Sequence, residues 1–413
     1  MLSGPASAGS GVDDRRWHTE LYQEGKTSMM FSLNLSIATS TAALGLLAAA
    51  GGAQSQETIK VGVLVDQTGK TSFYSQPVTE GTLMAVEEVN AAGGVLGRQI
   101  ELILEDDNGR PDLSATKARK LVDDGVVAII SNSNSGATRQ AISVTAESLT
   151  PQLASANSAE TLTTLDNSCF FQLGPVESLQ VKTMLAFTKT KGYGKVALVG
   201  DNSGLSTAAV DQFRMGLGEA GVPIVEEQLI PVGSQTAVPQ LQKVRAAEPN
   251  AIYQVAQIGP QVVQFFQAYQ QLGMKQPILG TFNLSSSSYL TTAKGLMDGT
   301  VFTDAFDPEK PEAIAFSERF KAKFDKEATS LEAYGHDSVV LIVDAIKRAN
   351  STERPAICKA IAETKGLPRV MGAKGTGFDF SRGDRRGFDP EGVVVRAIEN
   401  NAYTGAVFSG TKN

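Results

Sequence analysis

The 413-residue chain has only two histidines, two cysteines and one tryptophan. Two cysteines build neither a disulfide scaffold nor a Cys-rich zinc site. The histidines, His18 and His336, stand far apart, and the first lies in a segment expected to be removed. Histidine-based metal centres and acid–base schemes are therefore poor fits. An excess of positive charge is missing too. The 37 Lys and Arg against 44 Asp and Glu leave a net charge of −7. Such a chain offers little to neutralise nucleic-acid phosphates or an anionic membrane surface. No apolar run reaches the roughly 20 residues of a membrane span. No G-x-G-x-x-G follows the first apolar run, and neither a G-x-x-x-x-G-K-[ST] loop nor a G-x-S-x-G elbow is present. Nucleotide-dependent or serine-hydrolase chemistry thus has no motif to rest on, and the chain reads as a non-enzyme that needs no cofactor.

What is present is ordinary globular composition, 42% hydrophobic and 20% charged, in a length that suits two or three domains. Residues 1–28 are polar and aperiodic. Met29 and Met30 precede FSLNLSIATSTAALGLLAAAGGA, in which Ala42 to Ala50 are mostly small and apolar and Gly51-Gly52-Ala53 places small residues at a cut site. This predicts an export signal over residues 1–53 cleaved near Ala53, with residues 1–28 read as the product of an upstream start. A polar tail on a cytosolic protein is the alternative. No cysteine stands near the cut, so no lipid anchor is expected.

From residue 58 the pattern alternates. TIKVGVLVD (58–66), QIELILED (99–106), VVAIIS (126–131) and PQLASA (151–156) read as strands, separated by helical spacing over 76–92, 114–125 and 136–148. A second set follows, with strands at 195–201, 223–230, 251–256 and 277–282 and helices between them. Unbroken apolar strands alternating with helices predict two parallel sheets covered on both faces. The tail differs: helices over 316–324, 338–350 and 355–364, then short strands with Gly/Asp turns, which fit a chain returning to complete both halves. Phe265, Phe266 and Tyr269 fall at core spacing, Arg382, Arg385 and Arg386 read as a solvated turn, and Asp106 and Asp107 end a strand.

Ligands of open parallel sheets bind beyond the carboxyl ends of the strands. There, Ser131-Asn132-Ser133-Asn134-Ser135-Gly136 stands directly before a helix. The amides of a helix start and its positive dipole end suit a carboxylate, which makes Asn134, Ser135 and Gly136 candidates. A capped helix without ligand is the competing reading.

The chain from about 58 to 408 resembles the leucine/isoleucine/valine-binding family of periplasmic solute-binding proteins that serve ABC importers. The likeness rests on Ile59-Lys60-Val61-Gly62-Val63, on GTLMAVEEVNAAGGVLGR (81–98), on Glu105-Asp106-Asp107, on Asp123 to Ile130, and on Gly375-Thr376-Gly377 with Phe378 to Phe380 and Gly383-Asp384. It implies a type I periplasmic binding protein fold with two α/β lobes and three hinge crossings. The lobes are expected over 54–172 plus 305–388 and over 173–304 plus 389–413. It further implies a monomer that works with ABC permease subunits, with a periplasmic sensor partner as the alternative. Ser135 falls at the family's carboxylate-binding serine, Ala156 and Ser158 at its Ala and Thr positions, and Tyr74 at a pocket aromatic. Leu205 stands where relatives carry an aromatic, and Gln257 is counted among the ligand positions. Amino-acid binders of this family place a glutamate after the strand near 280. Here Phe282 and Asn283 stand there, and Gly280 to Thr292 contains no acid. Either Asp66 or Asp201 pairs the ammonium of an amino acid, or the ligand is an ammonium-free aryl or keto acid against Phe282. The latter is the leading expectation and a hydrophobic amino acid the alternative. Cys169 and Cys358 are expected in one lobe, and their pairing stays open.

Overall fold

The computed structural model describes residues 57–409, with Ser133, Gln257 and Ile258 excepted. The export signal expected in residues 1–53 and the ligand position at Gln257 lie outside the described residues. Among these, no helix is long and apolar enough to cross a membrane.

Apolar, largely β-branched runs form the strands, and the helices between them return the chain to the same sheet edge. In the first half these are β1 (Ile59–Val65), α1 (Ser72–Ala91), β2 (Ile100–Asp106), α2 (Pro111–Asp123), β3 (Ala128–Asn132), α3 (Ser135–Glu147), β4 (Gln152–Ala154) and β5 (Phe170–Gln172). Their sheet has the order β2-β1-β3-β4-β5 and is parallel throughout. In the second half come α4 (Glu177–Lys191), β6 (Val196–Asp201), α5 (Gly204–Glu219), β7 (Ile224–Ile230), α6 (Val238–Ala246), β8 (Ala251–Gln254), α7 (Pro260–Gln271), β9 (Ile278–Gly280), α8 (Ser287–Ala293) and β10 (Val301–Asp304). The chain then forms α9 (Pro311–Phe324), α10 (Ser330–Ala349), α11 (Arg354–Ala362), the small pair β11 (Lys365–Pro368) and β12 (Gly377–Asp379), and finally β13 (Val394–Glu399) and β14 (Ala402–Ser409). The second sheet runs β14-β13-β10-β9-β8-β6-β7.

Each sheet and its covering helices make one lobe. One face of the first sheet meets α1, α10 and α11 around Val61, Ile130, Leu341 and Ile357, and the other meets α2 and α3 around Leu64, Leu121 and Ala141. The second sheet is covered by α6 to α8 on one side and by α4 and α5 on the other.

Several expectations need correction. The second sheet is mixed: β13 is antiparallel to β10, and β14 to β13. Asn400 and Asn401, at φ 52° and 57°, make the two-residue hairpin between the last strands, the left-handed turn that asparagine tolerates. Helix α2 starts at Pro111 with Arg110 before it, not at Ser114, since proline suits the first helical position. Helix α10 starts at Ser330, because Thr329 and Glu332 form a capping box. His336 is consequently a buried residue inside the helix, its ring 5.0 Å from that of Phe316 and tilted to it. The arginine turn is not merely solvated. Arg385 donates to the carbonyls of Thr163 and Asn167, and Arg386 to that of Glu160, pinning the segment before β5. Cys169 and Cys358 form a disulfide, joining the entry of β5 to α11 across 189 positions.

Candidate functional site

The candidate site lies where the strands end. Asn134 caps α3: its Oδ1 accepts from the Ala137 amide at 3.0 Å and its Nδ2 donates to the Gly109 carbonyl at 2.6 Å. One residue thereby fixes the helix start and the neighbouring loop. The amides of Ser135 and Gly136 precede the first intrahelical bond, so the helix itself has no use for them. Both residues are partly or fully exposed.

After β4, Ser155 bonds to Ser338 across to α10 at 2.9 Å, Ala156 is half-buried against the first core, and Ser158 is buried. Ser158 pairs with Glu177, the first residue of α4, in both directions. The Glu177 amide donates to the Ser158 carbonyl at 3.1 Å, and the Ser158 hydroxyl donates to Glu177 Oε1 at 2.6 Å. Glu177 is only 7% exposed and sits on the first passage between the lobes. Burial raises its carboxyl above the usual range. The Ser158 hydrogen bond opposes that shift, and the nearby Glu160 adds to it.

Tyr74 stands in the first turn of α1. Its ring lies 4.7 Å from Phe73 and 5.8 Å from Phe282 of the other lobe. Its buried hydroxyl has no hydrogen-bond partner among the described residues. Burial first, then Tyr289 and Glu177, push that hydroxyl well above its ordinary value. Phe73 meets Tyr289 at 5.8 Å, so two aromatic pairs bridge the lobes. Pro77 contributes by what it lacks. Without an amide hydrogen it leaves the Phe73 carbonyl unclaimed by the helix, and Ser286 of the second lobe approaches that oxygen at 3.5 Å.

The remaining candidates are placed as follows. Asp66 is turned into its own loop, accepting from the Gly69 amide at 2.5 Å, the Thr71 amide at 2.9 Å and the Thr71 hydroxyl at 2.6 Å. Asp201 is fully buried at the end of β6 and accepts from the Ser203 amide at 2.8 Å before α5. Leu205 packs against the core between α4, α5 and the second sheet. Phe282 and Asn283 lie in a buried 3₁₀ turn over Phe282–Ser285. Phe282 packs into the first lobe's core, and Asn283 accepts from the Thr281 hydroxyl. Tyr74, Ser158 and Phe282 thus come together with Glu177, while Leu205 is turned into a core. Glu177 escaped sequence reasoning because an acid in a first helical turn reads as a complement to the dipole. Nothing local marks it as buried.

A family model described as "Periplasmic binding protein" matches residues 58–395. The Leu/Ile/Val-binding protein BraC3 of Rhizobium johnstonii is 26% identical over 322 residues, which cover 76% of this chain and 86% of that protein. The leucine-, isoleucine-, valine-, threonine- and alanine-binding protein of Pseudomonas aeruginosa is 22% identical, covering 84% of this chain and 92% of its own. In fold, the chain is similar to the branched-chain amino acid transporter substrate-binding protein LivJ of Streptococcus pneumoniae, solved with isoleucine. That structure has a TM-score of 0.76 and 24% identity, and covers 85% of this chain and 99% of its own.

Proposed function

Since the chain belongs to the periplasmic binding protein family, we propose that it is the exported receptor of an ABC importer and that its ligand is an amino acid with an apolar side chain. Proteins of this family bind solutes and hand them to permeases; they are not enzymes. The curated relatives are named for leucine, isoleucine and valine, and none of this supports the aryl or keto acid expected from the acid-free loop after β9. The amino-acid alternative fits better. Within the structure, one observation carries it: a buried carboxylate, Glu177, stands beside Ser158 and Tyr74 at the junction of the lobes. A ligand with an ammonium group matches such a place, and an acid without one does not.

In this reading the ligand carboxylate lies over the start of α3, where neutral amide donors and the dipole end favour it. Tyr74 and Phe282 supply apolar wall. The disulfide fits an oxidising compartment, and so an exported chain.

Thermal melts of ligand-stripped, refolded protein test the proposal. Leucine, isoleucine or valine at about 100 times the dissociation constant should add roughly 2.7 kcal/mol of stability. Their 2-oxo acids, benzoate and cinnamate should add little. Shifts confined to the acids would reverse the reading. An Asn134→Ala chain should lose about 1 kcal/mol of stability from its cap and bind leucine more weakly in calorimetry. Unchanged binding would remove the α3 start from the site.

A further inference from the structure

We propose that Glu177 supplies the negative charge that holds the ligand's ammonium group, in place of an acid in the loop after β9. The assignment rests on the amino-acid reading above.

The loop that carries the glutamate in the family's amino-acid binders has no acid here between Gly280 and Thr292. Of the two acids that sequence reasoning offered instead, Asp66 is filled by three donors of its own loop, and Asp201 faces the start of α5. Glu177 differs from both. It is buried, and among the described residues Ser158 is its one hydroxyl partner and the carboxylate of Glu160 the one charge that shifts it. No lysine or arginine pairs with it among the described residues. A buried carboxylate offset only by a serine hydroxyl and the α4 dipole is costly to keep, and a bound ammonium would compensate it.

The direction of the Ser158 hydrogen bond adds to this. A hydroxyl has one hydrogen to donate and two lone pairs to accept with. Its hydrogen is committed to Glu177, so what it offers a ligand is acceptor capacity. That suits an ammonium and repels a carboxylate. The Tyr74 hydroxyl, buried and without a hydrogen-bond partner among the described residues, feels the charge of the same Glu177. The two ends of an amino acid are thereby sorted: carboxylate to the amides of α3, ammonium to the Ser158–Glu177 pair.

The test is calorimetry with L-leucine and with its 2-oxo acid on wild type, Glu177→Gln and Glu177→Asp. Glutamine keeps an acceptor for Ser158 but loses the charge. It should weaken leucine about a hundred- to a thousand-fold, the usual effect of removing one partner of a buried ion pair. The oxo acid should be unaffected or improved, so that the preference inverts. The ligand-free melting temperature of Glu177→Gln should equal or exceed that of wild type. Aspartate keeps the charge but withdraws it by one methylene. It should weaken leucine by about tenfold with the amino-acid preference intact, and this variant decides the matter if the glutamine chain does not fold. Equal weakening of both ligands, or wild-type affinity for leucine in Glu177→Gln, would overturn the assignment and leave the amino-acid reading standing. Wild type that binds the oxo acid but no leucine would overturn both.

Discussion

A Gly335→Val chain should melt about 8 °C or more below wild type, or fail to fold. Gly335 lies where α10 crosses α1, and a Cβ placed there would stand 1.9 Å from the Val78 carbonyl and 2.8 Å from the Thr82 amide. Gly81 faces the other way across the same crossing, with a Cβ 1.9 Å from the Glu332 carbonyl. The obstacles are backbone atoms, so no rotamer change relieves the clash and the helices must separate. Overpacking in a close-packed interior costs about 1–3 kcal/mol where side chains can give. Here about 4 kcal/mol or more is expected, and for a cooperative unit of about 150–250 residues, the scale of one lobe, each kcal/mol moves the midpoint by about 2–4 °C. Gly218 is the internal control. It is an exposed helical glycine with nothing within 4 Å of its Cβ position, so Gly218→Ala should hold or gain about 0.5–1 kcal/mol. On the proposed reading the crossing also bears on ligand binding. Helix α1 carries Phe73 and Tyr74 in its first turn, and spreading it from α10 would move the aromatic wall. A Gly335→Val chain that melts as wild type does would show that the helices are not pressed together.

Replacing both Cys169 and Cys358 by serine should be the second large loss, and a loss of stability alone. The bridge closes 189 positions, for which chain-entropy reasoning gives a stabilisation of about 5 kcal/mol. A fall of about 10 °C or more in melting temperature follows, reproduced in the native chain by a reductant. Leucine affinity should stay within about twofold, because Cys169 precedes β5 whereas the loops proposed to hold the ligand leave the opposite ends of the strands. An unchanged melt would show that the bridge does not constrain the unfolded chain. A large loss of affinity would show that the bridge shapes the site.

Much of the fold was legible because strands buried on both faces must be apolar along their whole length. TIKVGVLVD, KVALVGD and AIYQVA show that, and β6 and β8 are buried throughout. Boundaries were less legible, since helix starts depend on caps that read as loop. Thr329 and Glu332 begin α10 well before its apolar stripe, and Ser72 begins α1 before Pro77. Direction of strand pairing was not legible either. It is set by which edge of the second sheet the returning chain meets, and only the Asn400-Asn401 turn marks β13 and β14 as a hairpin. In the site, the α3 start could be read, because Asn134 and Ser135 are local signals. The fate of an acid could not. Asp66, Asp201 and Glu177 look alike in sequence and differ only in what surrounds them: three loop donors, a helix start, or a single serine.

The most direct measurement is a crystal structure of ligand-stripped protein grown with L-leucine. The account predicts one leucine between the lobes, its carboxylate on the amides of Ser135 and Gly136 and its ammonium within hydrogen-bond distance of Glu177 and Ser158. Leucine bound with its ammonium on Asp201 or Asn283, or a cleft that takes only the oxo acid, would contradict it.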